Sequence, residues 1–291
     1  MTVSLKGKIA LITGGSRGLG REMALAFAEA GVSGLTVTAA PGSDENTADI
    51  ATELNDTIRA VEALGVRGLA LLSDVSAVKQ CKSVVSKTVE AFGGLHILVN
   101  NAGKSGRYVH FGDSSLNISQ VNPEGFKDVI DTNLLGPFLM THAAVHYLLK
   151  TGWGRVINIS KRTDSMHAPS ITPYGPSKAA LEAATIAWAE AMYNSGITFN
   201  TLSPGGAVNT KFGTGEIPEK GLDPIVIKPI AVWLASEASK NYTGCRFVAE
   251  FWDKSVPIEI AAEKCRESAI FKEPTRETLL ENAWKDPPRG D

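Results

Sequence analysis

The chain has 291 residues, 43% of them hydrophobic, and a formal charge of −2 from 29 basic and 31 acidic residues. That is ample material for one large core, and so even a charge balance gives no reason to expect nucleic acid or an anionic membrane as a partner. Cys81, Cys245 and Cys265 are odd in number and far apart, which argues against a disulfide framework or a cysteine metal site and suits thiols in a reducing compartment.

Taken in order, residues 9–12 predict a strand, 20–30 a helix and 34–39 a second strand. A polar loop at 41–47 leads to a helix ending near Leu64. Further strands are expected at 68–72, 97–100, 155–160, 197–202 and 244–249, with helices at 79–92, 123–150 and 177–194. Strands spaced by helices mean crossover connections, hence a single doubly wound α/β domain with a parallel central sheet and helices on both faces. That domain is expected over 1–249. From 250 to 291 charges crowd together, giving a C-terminal extension with short helices starting near Pro257 and Pro274. Residues 3–15 read as a strand running into glycines, not as a leader. No apolar run is long enough to span a bilayer, so the expected location is the cytoplasm.

The first strand runs into Thr13-Gly14-Gly15-Ser16-Arg17-Gly18-Leu19-Gly20, which opens directly into a helix. Glycines let the backbone turn tightly and approach a phosphate, and the helix start offers free N–H groups and a positive dipole end. At the first strand-to-helix junction this favours dinucleotide binding over a plain tight turn. The second strand ends Val37-Thr38-Ala39-Ala40-Pro41, with no carboxylate before Asp44. An acid there would hydrogen-bond a ribose 2′-hydroxyl and repel a 2′-phosphate. Arg17 offers that phosphate a charge-assisted donor, although it also fits a solvated surface arginine. NADP (as NADPH) is therefore expected in preference to NAD.

Tyr174 and Lys178 lie at i, i+4 at the start of a helical stretch, so they share one face. A phenol with an ordinary pKa of about 10 is made more acidic by a nearby ammonium, and it then serves acid–base chemistry near neutrality. Alone, such a match is common and often a surface pair. Asn133 precedes Pro137 by four residues within a helical stretch. Proline has no N–H to offer the Asn133 carbonyl, so a kink is expected there and the freed carbonyl could hold a water.

With these motifs in order, the chain resembles the short-chain dehydrogenase/reductase family from about Leu5 to Val248. The markers are residues 13–20, Asp74-Val75, Asn100-Asn101-Ala102-Gly103, Asn133, Tyr174 with Lys178, and Pro204-Gly205-Gly206. The resemblance implies a Rossmann fold and an NADP(H)-dependent oxidoreductase working between C=O and CH–OH groups. It implies a phosphate turn of Gly14, Ser16, Arg17, Gly18, Leu19 and Gly20. It implies adenine contacts from Asp74 and Val75, and a central segment of Asn100, Asn101, Ala102 and Gly103 passing the adenosine ribose. Lys178, Pro204, Gly205 and Thr210 would hold the nicotinamide end. Tyr174 and Lys178 would be the proton-transfer pair, and Asn133 would hold a relay water. No metal is implied.

The pattern breaks at one place. The family's serine that supports the carbonyl oxygen lies about thirteen residues before the tyrosine, and here that position is Lys161. Ser160 is one residue off and leaves an extended strand on the opposite face. Ser160 brought into place by a slip in the following loop is the first expectation. Lys161 as a cationic donor is a close second, and loss of this support with altered chemistry is the third.

The substrate loops implied are 104–121, 161–173 and 207–224, carrying Tyr108, His110, Phe111, Met166, His167, Ile171, Phe212 and Ile217. This mostly apolar lining suits a mid-sized organic carbonyl. Gly213, Gly215 and Pro218 mark the third loop as a lid. The alanine-rich helix after Tyr174 suits close helix pairing and a homodimer or homotetramer. The alternatives are a family member diverted to imine reduction, isomerisation or cyclisation, and a low-turnover cofactor-sensing binding protein.

Overall fold

In a computed structural model, the chain is described over residues 3–41, 47–105, 109, 118–168, 171–212 and 220–268. Seven parallel strands alternate with helices: β1 Ile9–Thr13, β2 Gly34–Ala39, β3 Gly68–Leu72, β4 Ile97–Asn100, β5 Gly154–Ile159, β6 Ile197–Ser203 and β7 Arg246–Val248. The sheet order is β3-β2-β1-β4-β5-β6-β7-β8, where β8 (Arg266–Glu267) is the antiparallel edge. The order reverses between β1 and β4, which leaves a crevice beyond their carboxyl ends.

The inner strands are mostly apolar and buried because both sheet faces are covered. Alternate residues divide between two cores. Ala10, Ile12, Ile97, Val99, Ile157 and Ile159 face one core, with Met23 and Phe27 of α1 (Gly18–Glu29), Leu54 and Ile58 of α2 (Thr47–Ala63) and Trp233 of α7 (Lys228–Leu234). Leu11, Leu98 and Val156 face the other. They meet Val84 and Val85 of α3 (Val78–Phe92), Met140 and Ala144 of α5 (Gly136–Thr151), and Ala189 of α6 (Tyr174–Ala191). The α7 helix had no counterpart among the predicted elements.

The helix expected as one piece over 123–150 is divided. α4 spans Pro123–Ile130, one π turn covers Asp131–Leu135, and α5 follows. In the π turn Gly136 N–H donates to the carbonyl of Asp131, five residues back. Pro137, lacking an N–H, is the sequence feature behind this break. Past β7 the chain turns back on the sheet: Ala262 and Cys265 of α8 (Ile258–Cys265) join the first core, and β8 covers the β7 edge. The helix predicted near Pro274 lies outside the described residues. Cys81, Cys245 and Cys265 are buried, and burial pushes the Cys81 thiol up to about 11 and Cys265 to about 12.

Candidate active site

The glycine turn sits at the carboxyl end of β1. Gly14 has φ +66°, and a Cβ there would come within 2.8 Å of Ala102 Cα, so the backbone lies directly against the strand-β4 exit. Asn101 holds the two segments together by donating from Nδ2 to the carbonyls of Thr13 (2.9 Å) and Gly14 (2.7 Å). Thr13 Oγ1 accepts from the N–H groups of Asn101 and Ala102. Ser16 is buried, with its carbonyl accepting from Thr57 of α2 at 3.1 Å. α1 begins at Gly18, and a Cβ on Gly18 would lie 3.0 Å from Thr210 Cγ2. Leu19 borders the first core. The segment after β6 therefore passes close to the turn, with Thr210 beside Gly18.

Arg17 is half-exposed and donates to Glu53 of α2 at 3.4 Å. Asp74 caps its own loop, accepting at Oδ1 from Ser76 N–H (2.8 Å) and Oγ (2.7 Å). Val75 is buried in the second core. Asn100 donates to Asn158 (2.8 Å), which donates to Thr185 of α6 (2.8 Å), a buried polar chain tying β4, β5 and α6. Gly205 N–H donates to Ser203 Oγ, and the Pro204 carbonyl accepts from Glu250 N–H.

Tyr174 starts α6, and two ammonium groups lie near its ring. Lys161 Nζ lies 5.7 Å and Lys178 Nζ 5.9 Å from the ring centre. Lys178 is buried and donates to the carbonyl of Ile159 at 2.8 Å. Lys161 donates to Ser165 O (2.8 Å) and Oγ (2.6 Å). Desolvation lowers both lysines to about 8, opposed by Glu182 for Lys178 and by Asp164 for Lys161. Burial pushes the Tyr174 phenol above its ordinary value. Fully buried Asn133 completes the group: its Oδ1 accepts from Lys104 N–H at 2.8 Å, and its Nδ2 donates to Lys104 O (2.9 Å) and Ser177 Oγ (3.0 Å). Ser177 Oγ in turn donates to the Tyr174 carbonyl at 2.7 Å. The Phe212 ring rests 5.6 Å from that of Tyr174.

Ser160 departs from the first expectation. Its hydroxyl donates to Glu182 Oε1 of α6 at 2.6 Å. No loop slip reverses the alternation of an extended strand, so the side chain faces α6. Glu182 is paired with Arg246 of β7, which also bonds Lys161 O (2.8 Å) and Glu267 of β8 (3.1 Å). This buried network was missed from sequence. Its one local signal is a glutamate one turn after Lys178 on an apolar-rich helix. Of the predicted lining, Met166 is buried and His167 exposed, while Tyr108, His110, Phe111, Ile217 and the lid residues Gly213, Gly215 and Pro218 lie outside the described residues. Among the described residues no group of three His, Cys, Asp or Glu forms a metal site, and no helix is long and apolar enough to cross a membrane.

A family model described as short chain dehydrogenase matches residues 8–220. The chain is 32% identical over 213 residues to a short-chain type dehydrogenase/reductase of Picea abies, covering 73% of this chain and 75% of that protein. It is 30% identical over 253 residues to the 3-oxoacyl-(acyl-carrier-protein) reductase FabG of Thermotoga maritima, covering 82% and 95%. The crystal structure of a short chain dehydrogenase from Mycobacterium paratuberculosis bound to NAD superposes with a TM-score of 0.73 at 27% identity, covering 85% of this chain and 98% of that one.

Proposed function

This chain belongs to the short-chain dehydrogenase/reductase family and is an NAD(P)-dependent oxidoreductase, and from that premise we propose that it is an NADPH-preferring reductase of a mid-sized organic carbonyl. The observation that carries the proposal is the Tyr174 ring with two ammonium groups 5.7 Å and 5.9 Å from its centre, in a chain whose glycine turn lies at the carboxyl end of β1. The close approach of Gly14 to Ala102 and the start of α1 at Gly18 fit a pyrophosphate. When bound, the dihydronicotinamide supplies the hydride.

In this proposal Tyr174 gives its phenolic proton to the carbonyl oxygen. A phenol held above its ordinary range keeps that proton at neutral pH, which suits reduction. Lys178 stabilises the phenolate left behind and holds the nicotinamide ribose. Asn133 fixes the Tyr174 helix start through Ser177, and its main-chain carbonyl is the proposed seat of a relay water. With Ser160 turned to Glu182, Lys161 is the donor to the substrate oxygen. Pro204, Gly205 and Thr210 bound the nicotinamide end, and Asp74 and Val75 the adenine end. Homodimer or homotetramer formation belongs to the same proposal, supported by exposed Leu135, Phe138 and Leu149.

The NADPH preference is supported by Ala39, Ala40 and Pro41 after β2, where no carboxylate stands, and by Arg17. The exposed Arg17–Glu53 pair is weak enough for a phosphate to displace Glu53. NADPH is expected to raise the melting temperature more than NADH does. Arg17→Ala should weaken NADPH about tenfold and leave NADH nearly unchanged. Stabilisation by NADH alone would overturn the preference.

The pH profile tests the lysines. Reduction needs the phenol and both ammonium groups protonated, and burial holds the lysines at about 8. The kcat/KM for reduction is therefore expected to be level up to about pH 8 and to fall above it, the descent belonging to the lysine pair. A rate that climbs through pH 8 to 9 contradicts the assignment.

A further inference from the structure

We infer that the substrate carries its own negative charge beside the reacting carbonyl, as a 2- or 3-oxo acid does, and that Lys161 is the residue that reads that charge. The inference rests on the carbonyl-reductase reading above and narrows it to a substrate class.

Three observations support it. First, Lys161 has one N–H left for a ligand. Two are given to Ser165 O and Oγ, and the Ser165 hydroxyl donates onward to Arg162 O at 3.0 Å, so it can only accept from Lys161. An ammonium has three donors, and the third is not taken up by a described acceptor. Second, no described carboxylate neutralises the site. Glu182 is committed to Arg246 and Ser160. Asp164 lies on the surface, bonded to Arg162 at 2.6 Å and 3.0 Å. Neither forms an ion pair with Lys161 or Lys178; Asp164 and Glu182 oppose the lowering of one lysine each without contacting it. Third, a neutral ketone adds no counter-charge to a partly desolvated pocket that holds two ammonium groups, which is costly. The fall of both lysines to about 8 reflects that cost. A carboxylate bound there removes it and forms a charge-assisted hydrogen bond.

The geometry suits a carboxylate one or two carbons from the carbonyl. The carbonyl oxygen takes the Tyr174 proton, and in an oxo acid the carbonyl oxygen and the neighbouring carboxylate share the one remaining N–H of Lys161. The reaction balances with one proton from water: the carbonyl carbon gains the hydride of NADPH, its oxygen gains the phenolic proton, the phenolate is reprotonated from solvent, and the carboxylate is unchanged. The products are a hydroxy acid and NADP⁺. A cationic iminium substrate is disfavoured by the same two charges.

The test compares matched acids and methyl esters at pH 7 with NADPH, using benzoylformate and methyl benzoylformate first, then a panel of 2- and 3-oxo acid pairs. The wild type is expected to show a kcat/KM at least about tenfold higher for the acids. Lys161→Met and Lys161→Gln should abolish that preference while the thermal shift given by NADPH persists, and Lys161→Arg should retain it. Esters reduced as well as acids, or an acid preference that survives both neutral variants, would overturn the inference and leave the carbonyl-reductase reading standing. If NADPH binds and no member of either series is reduced, the carbonyl reading falls and this inference falls with it.

Discussion

Replacing Tyr174 by phenylalanine is expected to lower kcat by about 10³-fold while NADPH binding stays near the wild-type value. The substitution removes one oxygen and keeps the ring near Lys161, Lys178 and Phe212. Little in the packing changes, because the ring and not the hydroxyl makes the contact with Phe212. What disappears is the proton positioned to meet the reduced carbonyl. Lys178→Met makes the useful comparison, since Lys178 is also proposed to hold the nicotinamide ribose. That variant should weaken NADPH as well as slow turnover. Turnover of Tyr174→Phe within a few-fold of wild type would remove Tyr174 from the chemistry, and loss of NADPH binding in the same variant would assign it to cofactor retention.

The second large effect is on stability. Arg246 is 1% exposed and is the hub of a buried network, bonding Glu182, Glu267 and the Lys161 carbonyl. Arg246→Met strands the Glu182 carboxylate in the interior, and breaking a buried pair by removing one partner costs about 3–5 kcal/mol. The urea midpoint should fall accordingly. Adding Glu182→Met should recover part of the loss, because the stranded charge goes with it, although Ser160 then lacks its acceptor. If the single variant unfolds at the wild-type midpoint, or the double variant is worse than the single one by a full additive step, the pair is not the strut described here. Ser160→Ala belongs to this comparison. It should cost stability through Glu182 and leave the chemical step nearly unchanged.

The sequence made the layered fold readable because most strands are short apolar runs and most connections are helices with their own periodicity. The glycine turn, Tyr174 and Lys178 were equally readable, since each works at short range along the chain. Beside α7 and the division of the 123–150 helix, three further features were not. The Arg246–Glu182–Glu267 network joins residues 64 and 21 positions apart, and nothing local in β7 announces that a charged side chain there is buried and paired. The β8 strand has two residues, too few to carry an alternation. Ser160 against Lys161 was open because the spacing to Tyr174 names a position, while the direction of a side chain depends on which residue ends the strand. β5 ends at Ile159, and the pleat then sends Ser160 to α6.

The π turn at Asp131–Leu135 adds a residue to the helix without lengthening it by the usual increment. Each α-helical residue advances about 100° around the axis, so the segment after this turn is rephased by that angle relative to an unbroken helix. Asn133 is thereby free to point inward, at Lys104 and Ser177, while Phe138 keeps its place on the outer surface. Deleting a single residue within 131–135 would restore a regular spiral and keep the helix, yet swing one end's apolar stripe by a quarter turn or more. The helix can serve the crevice with one half and the molecule's exterior with the other only because the two halves are out of step.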